Sequence, residues 1–288
     1  MMKKLENIVK SICPDPIIEQ LRKLRKIKYT FFKRHKINRH PQLWSGNSNG
    51  YRVTKIQPVS KISGGGYHRY SNNWWSNTNC PYSYQYLDLD SLYQEPYYEA
   101  DDNSGHPSSK VAESLYEYMQ ETYTKVFGRK FKTILELGTG GGEITYQFMH
   151  DNLDFIAVEG TKAGVNRLQK IGVPEGRIIH SDLKTLKPIG RKFDIVMCTE
   201  VAEHIEPWFA SKVVENCITH SDIVWFSAAD AKRRAHYHHM NEVNIEAWDN
   251  IFAYMGRPLF IELNNMYERA DRLYIAEALE SSLNPLTE

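Results

Sequence analysis

Between residues 133 and 145 the chain reads TILELGTGGGEIT, an apolar run leading into an acid and then four glycines within five positions. Glycine is costly to order and packs nothing, so such a cluster marks a close approach by another group. A glycine loop between a buried strand and a helix is a common way to aim backbone N–H groups at a ligand. Three chemistries compete for it. A phosphate cradle needs Gly-Lys-Ser/Thr at its end, where this chain has Glu143-Ile144-Thr145. A dinucleotide GxGxxG started at Gly138 puts Glu143 at the third glycine position, and started at Gly140 it fails at once. The stretch fits E-x-G-x-G-x-G instead, with Glu136, Gly138, Gly140 and Gly142, and Thr139 between the first two glycines.

Two acids follow in register. Glu159, next to Gly160, lies 19 positions after Gly140, where a carboxylate holds both hydroxyls of a ribose. Asp182-Leu183 stands after the next apolar run. Together these residues resemble the class I S-adenosylmethionine (SAM) dependent methyltransferases, with motif I at 136–142. The resemblance covers about residues 107–280 and implies SAM as cofactor and S-adenosylhomocysteine (SAH) as product. It assigns Glu159 to the ribose, Asp182 to the adenine amino group and Leu183 to a place near the ring. SAM carries no phosphate, and an acid just before the loop suits its ammonium group.

The run Thr199-Glu200-Val201-Ala202-Glu203-His204-Ile205 resembles the small-molecule subgroup of that class, where Thr199 and Glu200 would line the methionine end of the cofactor. His204 is then the first candidate for a general base. Methyl transfer is an in-line displacement helped chiefly by alignment, and a base is needed only when the acceptor is a hydroxyl that must lose its proton. Asp230, His236, His238, His239 and Asn241 crowd the segment after the fifth strand, where an acceptor would lie. His238 and His239 are further base candidates, and Asp230, His236 and Asn241 are candidate substrate contacts. Imidazoles at this spacing also suit a metal with Asp230. No second cluster of ligand spacing accompanies them, so the sequence assigns none. The HHxNE run followed by Trp248 resembles methyltransferases of surface-glycan biosynthesis, which implies O-methylation of a sugar, a glycan or another small hydroxyl compound.

These residues need a scaffold, and the hydrophobic rhythm supplies one. Apolar strands are expected at 133–137, 155–158, 177–180, 193–198 and 222–228, with helices from 144, at 161–170 and at 207–218 between them. A further helix follows His106-Pro107. Such alternation predicts a Rossmann-like, doubly wound, mostly parallel α/β sheet. A helix at 244–255 and strands near 258–263 and 272–277 imply a closing antiparallel pair. The SAM-binding domain is thus placed at 107–288. Residues 41–106 are rich in Asn, Ser, Gly and Tyr and form a cap or substrate segment, in which Trp74 and Trp75 either stack on a flat or sugar substrate or pin the loop.

Residues 1–40 hold 12 Lys/Arg against three acids, leaving 24 basic and 32 acidic residues elsewhere, a balance of −8. This arm reads as a basic helix. Its residues 17–36 present a cationic face either to solvent or to an anionic membrane surface or acidic partner. The acidic body and the absence of [DN]PP[FYW] argue against nucleic acid as the acceptor. RNA methylation and a non-catalytic SAM-fold binding protein stay as alternatives. Four scattered cysteines with no CxxC pair, no signal-peptide core and no long apolar run together predict a cytoplasmic protein, at the inner membrane face if the basic helix anchors it.

Overall fold

A computed structural model describes residues 53–55, 89–94, 98, 109–229, 239–263 and 271–283. The basic arm, Trp74, Trp75, Asp230, His236 and His238 lie outside the described residues.

Eight strands form one sheet in the order β1-β7-β8-β6-β5-β2-β3-β4. The parallel part is β2 (Thr133–Leu137), β3 (Asp154–Glu159), β4 (Ile178–His180), β5 (Ile195–Thr199) and β6 (Ile223–Ser227). Leu135, Val196, Val224 and Phe226 are fully buried. Helices cover both faces of a parallel sheet, so its central strands are apolar at nearly every position rather than at alternate ones. The antiparallel part is β7 (Leu259–Glu262) and β8 (Arg272–Ile275), with β8 beside β6. The expected α/β architecture and closing antiparallel pair are both present.

Two elements went unread in the sequence. β1 (Val53–Lys55) pairs antiparallel with β7 at the sheet edge, inside the stretch assigned to the cap. Its Lys55 Nζ meets Glu277 at 2.8 Å and Glu280 at 2.9 Å. α1 (Leu89–Leu92) is a single turn. The longer helices are α2 (Ser109–Phe127), α3 (Glu143–His150), α4 (Lys162–Lys170), α5 (Ala210–His220) and α6 (Ile245–Tyr254). The helix expected at 207–218 is split: Pro207–Phe209 forms a 3₁₀ turn, and the α-helix starts at Ala210.

Aromatic rings fill the core on both faces. Tyr118 of α2 meets Trp225 of β6 edge-on at 5.3 Å. Across the sheet, Phe252 of α6 stacks on Tyr274 of β8 at 3.8 Å. Cys198 and Cys217 are buried free thiols. The neighbouring Cys217 sulfur and burial push the Cys198 thiol well up. Asp194, just before β5, accepts from the N–H groups of Lys132 (2.8 Å) and Thr133 (3.0 Å) and from Arg129 (2.9 Å). Its own N–H donates to Thr133 Oγ1 at 2.7 Å, so one side chain ties the starts of β2 and β5 together. Among the described residues no helix is long and apolar enough to cross a membrane.

Candidate active site

After β2 the chain goes on to β3 and β4 on one side, then returns to place β5 and β6 on the other. The strand order therefore reverses between β2 and β5, and a crevice opens beyond their carboxyl ends. The glycine loop leaves β2 there, and residues 200–205 leave β5. The two loops touch. A Cβ on Gly138, whose φ is +80°, would come within 2.5 Å of the Val201 side chain. Gly142 has φ +82° and caps α3, and a Cβ there would strike Leu168 and Ile171 at 2.8 and 2.7 Å. Both positions need glycine for backbone conformation and for space.

Glu136 is buried beneath the loop, and Thr145 Oγ1 donates to its Oε2 at 2.5 Å. Burial pushes this carboxyl up to about 8 against the pull of Thr145, and the charges of Glu143 and Glu159 add to the rise. Burial thus favours the protonated form of Glu136 at neutral pH over the carboxylate that its motif position suggests.

Glu159 ends β3 and is 5% exposed. Its Oε2 accepts from Thr139 N (3.3 Å) and Oγ1 (3.0 Å), and its Oε1 from Thr161 N and Oγ1 (both 2.9 Å) and from Tyr98 Oη (3.3 Å). Thr161 is also the N-cap of α4, where its hydroxyl accepts from Gly164 N at 3.0 Å. A Cβ on Gly164 would sit 2.6 Å from the Glu159 carboxyl carbon, so this glycine makes room for the acid. SAM fits this arrangement. Three of the five donors are hydroxyls, which can rotate away and yield to the two hydroxyls of a ribose. Gly160 faces the Leu89 side chain, and Asp90 accepts from Lys162 N at 2.6 Å, so α1 sits at the mouth of the same loop.

Asp182 follows β4 and accepts from Lys184 N at 2.8 Å. Lys184 Nζ stands between Asp182 (3.4 Å) and Glu206 (3.3 Å). Leu183 is buried, and its carbonyl accepts from Asn216 at 2.6 Å. Thr199 ends β5, and Glu200 after it has φ +55°, uncommon for a side-chain-bearing residue. The Ser227 hydroxyl donates to Glu200 Oε1 at 2.9 Å, and Glu200 N–H donates to the Ser227 carbonyl at 3.0 Å.

The turn Ala202–His204 then carries Glu203, fully buried, and His204. The Glu203 carbonyl accepts from Met240 N (2.7 Å) and Asn241 N (2.9 Å), which draws the 239–242 segment onto the turn. The His204 and His239 rings lie edge to face, 4.7 Å between centroids. Nδ1 of His204 pairs with Tyr93 Oη at 2.9 Å, and Nδ1 of His239 with Glu242 at 2.6 Å. One ligand atom from each of Glu203, His204 and His239 falls within 4.8 Å of the others. Asn241 is 2% exposed, and neither atom of its side-chain amide is hydrogen-bonded within the protein. Leaving such a group unsatisfied costs about 1–3 kcal/mol, a cost that a bound partner removes. Glu203, Glu242, Tyr93, Tyr98, Thr161 and Gly164 all escaped the sequence reading as site residues. Thr161 alone carried a local signal, that of a helix N-cap.

Residues 135–219 match the family model described as "Methyltransferase domain", a span from β2 to the end of α5. No curated protein matches the chain in sequence. The N-methyltransferase NodS from Bradyrhizobium japonicum WM9, solved with SAH, is similar at 15% identity over 66% of this chain and 100% of its own, with a TM-score of 0.48. The N-terminal domain of EvdMO1 with SAH bound is 16% identical over 58% of this chain and 79% of its own, TM-score 0.43. The small RNA methyltransferase HEN1 is 17% identical over 65% and 27%, TM-score 0.46. With the glycine loop, Glu159 and Asp182 set around the β2/β5 crevice, residues 135–219 are the part of this chain that matches a methyltransferase domain, and its site suits SAM.

Proposed function

We propose that the enzyme methylates a hydroxyl group of a sugar, a glycan or another small acceptor. The observation that carries this is the group of buried Glu203 and half-buried His204 and His239 beside the orphaned amide of Asn241, at the end of β5. When bound, SAM supplies a methyl group on a positively charged sulfur. The chain's own residues have the remaining tasks. Glu159 holds the ribose, and the Asn241 amide offers the acceptor one donor and one acceptor atom. The cluster of Glu203, His204 and His239 promotes loss of the hydroxyl proton, a step that a hydroxyl acceptor needs for attack. A neutral amine acceptor needs no such help before attack, so the cluster favours oxygen over nitrogen.

His238, and Asp230, His236, Trp74 and Trp75 as substrate contacts, belong to the same proposal, as does attachment of residues 17–36 to an anionic surface. Nucleic acid suits the crevice poorly: Glu203 and Glu242 stand with His204 and His239 at its acceptor end, whereas phosphate backbones demand cations.

The test is a screen of the full chain with methyl-labelled SAM against free sugars, nucleotide sugars, phenols, amines and RNA oligonucleotides. Label on oxygen of a sugar or phenol is expected, and His204→Ala should lower the rate by about 100-fold or more. Label confined to amine nitrogen or RNA contradicts the reading.

A further inference from the structure

We propose that Glu203, His204 and His239 form a binding site for one divalent cation of the first transition row, which holds the hydroxyl to be methylated. The inference rests on the hydroxyl-acceptor reading and concerns how the cluster promotes loss of the proton. Two segments some 35 residues apart in sequence bring one carboxylate and two imidazoles to a common point, their ligand atoms within 4.8 Å of one another. Metal–ligand bonds of about 2.0–2.2 Å place the ligand atoms of a bound ion roughly 3–4 Å apart, so the cluster closes on a cation with a small contraction. The donor set selects the ion. Two imidazoles and a carboxylate suit manganese, iron, cobalt or zinc, whereas magnesium prefers oxygen ligands throughout.

The surroundings support the same assignment. Each ring has its Nδ1 turned to a neighbour, Tyr93 for His204 and Glu242 for His239. The proposed site takes Nε2 of each ring as the ligand atom, and the His239–Glu242 pair then has the form of a carboxylate that orients a metal-binding histidine and raises its basicity. Glu203 is fully buried and the side chain of Glu242 is 4% exposed, so these carboxyl groups lie out of water, where a cation is held more strongly. The second, independent observation is Asn241, whose buried amide makes no hydrogen bond within the protein while its backbone N–H is fixed to Glu203. It suits the free side of an acceptor held at the cation.

Next to the cation the acceptor hydroxyl becomes more acidic and gives its proton to solvent. Its oxygen forms a bond to the methyl carbon as the carbon–sulfur bond breaks, and that bond's electron pair stays on sulfur. An ether, SAH and one proton leave, and the oxidation state of the cation is unchanged.

The experiment titrates MnCl₂ into chelator-treated full-length protein and reads uptake by electron paramagnetic resonance, with ZnCl₂ as competitor. One Mn²⁺ per chain is expected, displaced by Zn²⁺. His239→Asn and Glu203→Gln should each weaken uptake tenfold or more, and Glu242→Gln by about 10–100-fold. SAH affinity should stay at the wild-type value in every variant, which shows that the fold survives. Absence of saturable uptake up to millimolar Mn²⁺ or Zn²⁺ in protein that binds SAH overturns the inference, as does equal uptake by His239→Asn. Hydroxyl methylation undiminished by chelator also overturns it and leaves the hydroxyl reading standing. Uptake at this site with label only on nitrogen supports the cation site and sinks the hydroxyl reading instead.

Discussion

Glu136 shows what burial does to a motif residue. The sequence places an acid before the glycine loop and suggests a carboxylate, but in the fold burial holds that group protonated up to about pH 8. The folded state thus binds a proton that the unfolded chain has already released above its ordinary value of 4.5. Stability from this group is present below 4.5 and is lost as pH rises toward 8. Glu136→Gln, which cannot ionise, should gain on the wild type by about 3 kcal/mol between pH 5 and pH 8, as read by urea unfolding at both values. A pH-independent difference would show that the carboxyl is not held protonated. Glu136, Glu159 and Asp182 were legible in the sequence because a strand end fixes each one locally. The Glu203–His204–His239 group was not legible as a unit, since only the backbone bonds from residues 240 and 241 to the Glu203 carbonyl bring the two segments together. Tyr93 and Tyr98 were hidden for another reason: the aromatic stretch around them has no periodicity from which a burial pattern can be read.

At the scale of elements, the β–α alternation was readable because parallel strands buried on both faces give near-continuous apolar runs. The three-residue edge strand β1 and the one-turn helix α1 are too short to carry a period. Two joints decide whether the site is presented. Where the β2 and β5 loops meet, Gly138→Ala must displace Val201 and hold a side chain at φ +80°. It should destabilise the chain by at least about 1–2 kcal/mol and weaken SAH binding, measured by thermal unfolding and calorimetry. Unchanged values for both would show that the loops are not in contact. At the opposite ends of the same strands stands Asp194. Burial pushes its carboxyl up, yet Lys132 N–H, Arg129 and Thr133 N–H outweigh that and hold it below the usual carboxylate range. Its stabilisation is present above the unfolded value of about 3.9 and is lost as pH falls through the lower folded value. Asp194→Asn should cost about 1–2 kcal/mol at pH 7, an amount discounted for partial exposure, and much less at pH 3. An equal cost at both pH values would assign the effect to shape rather than charge.

For the whole molecule, one crevice serves both halves of the proposed reaction. Its β2–β3–β4 side carries the residues proposed to bind the cofactor, and its β5 side carries the cluster that would receive the acceptor. α1 and Tyr93 connect the sides: Asp90 and Leu89 meet the β3–α4 loop, and Tyr93 holds His204. Binding of the cofactor at Glu159 is the claim on which the rest depends. It is tested most directly by calorimetric titration of SAH into the full chain, beside Glu159→Ala and with NAD as control. One SAH per chain at micromolar affinity is expected, with loss of about 100-fold or more in the variant and no heat from NAD. An intact, folded chain that takes up no SAH, or a Glu159→Ala variant that binds it as tightly as the wild type, would contradict the account.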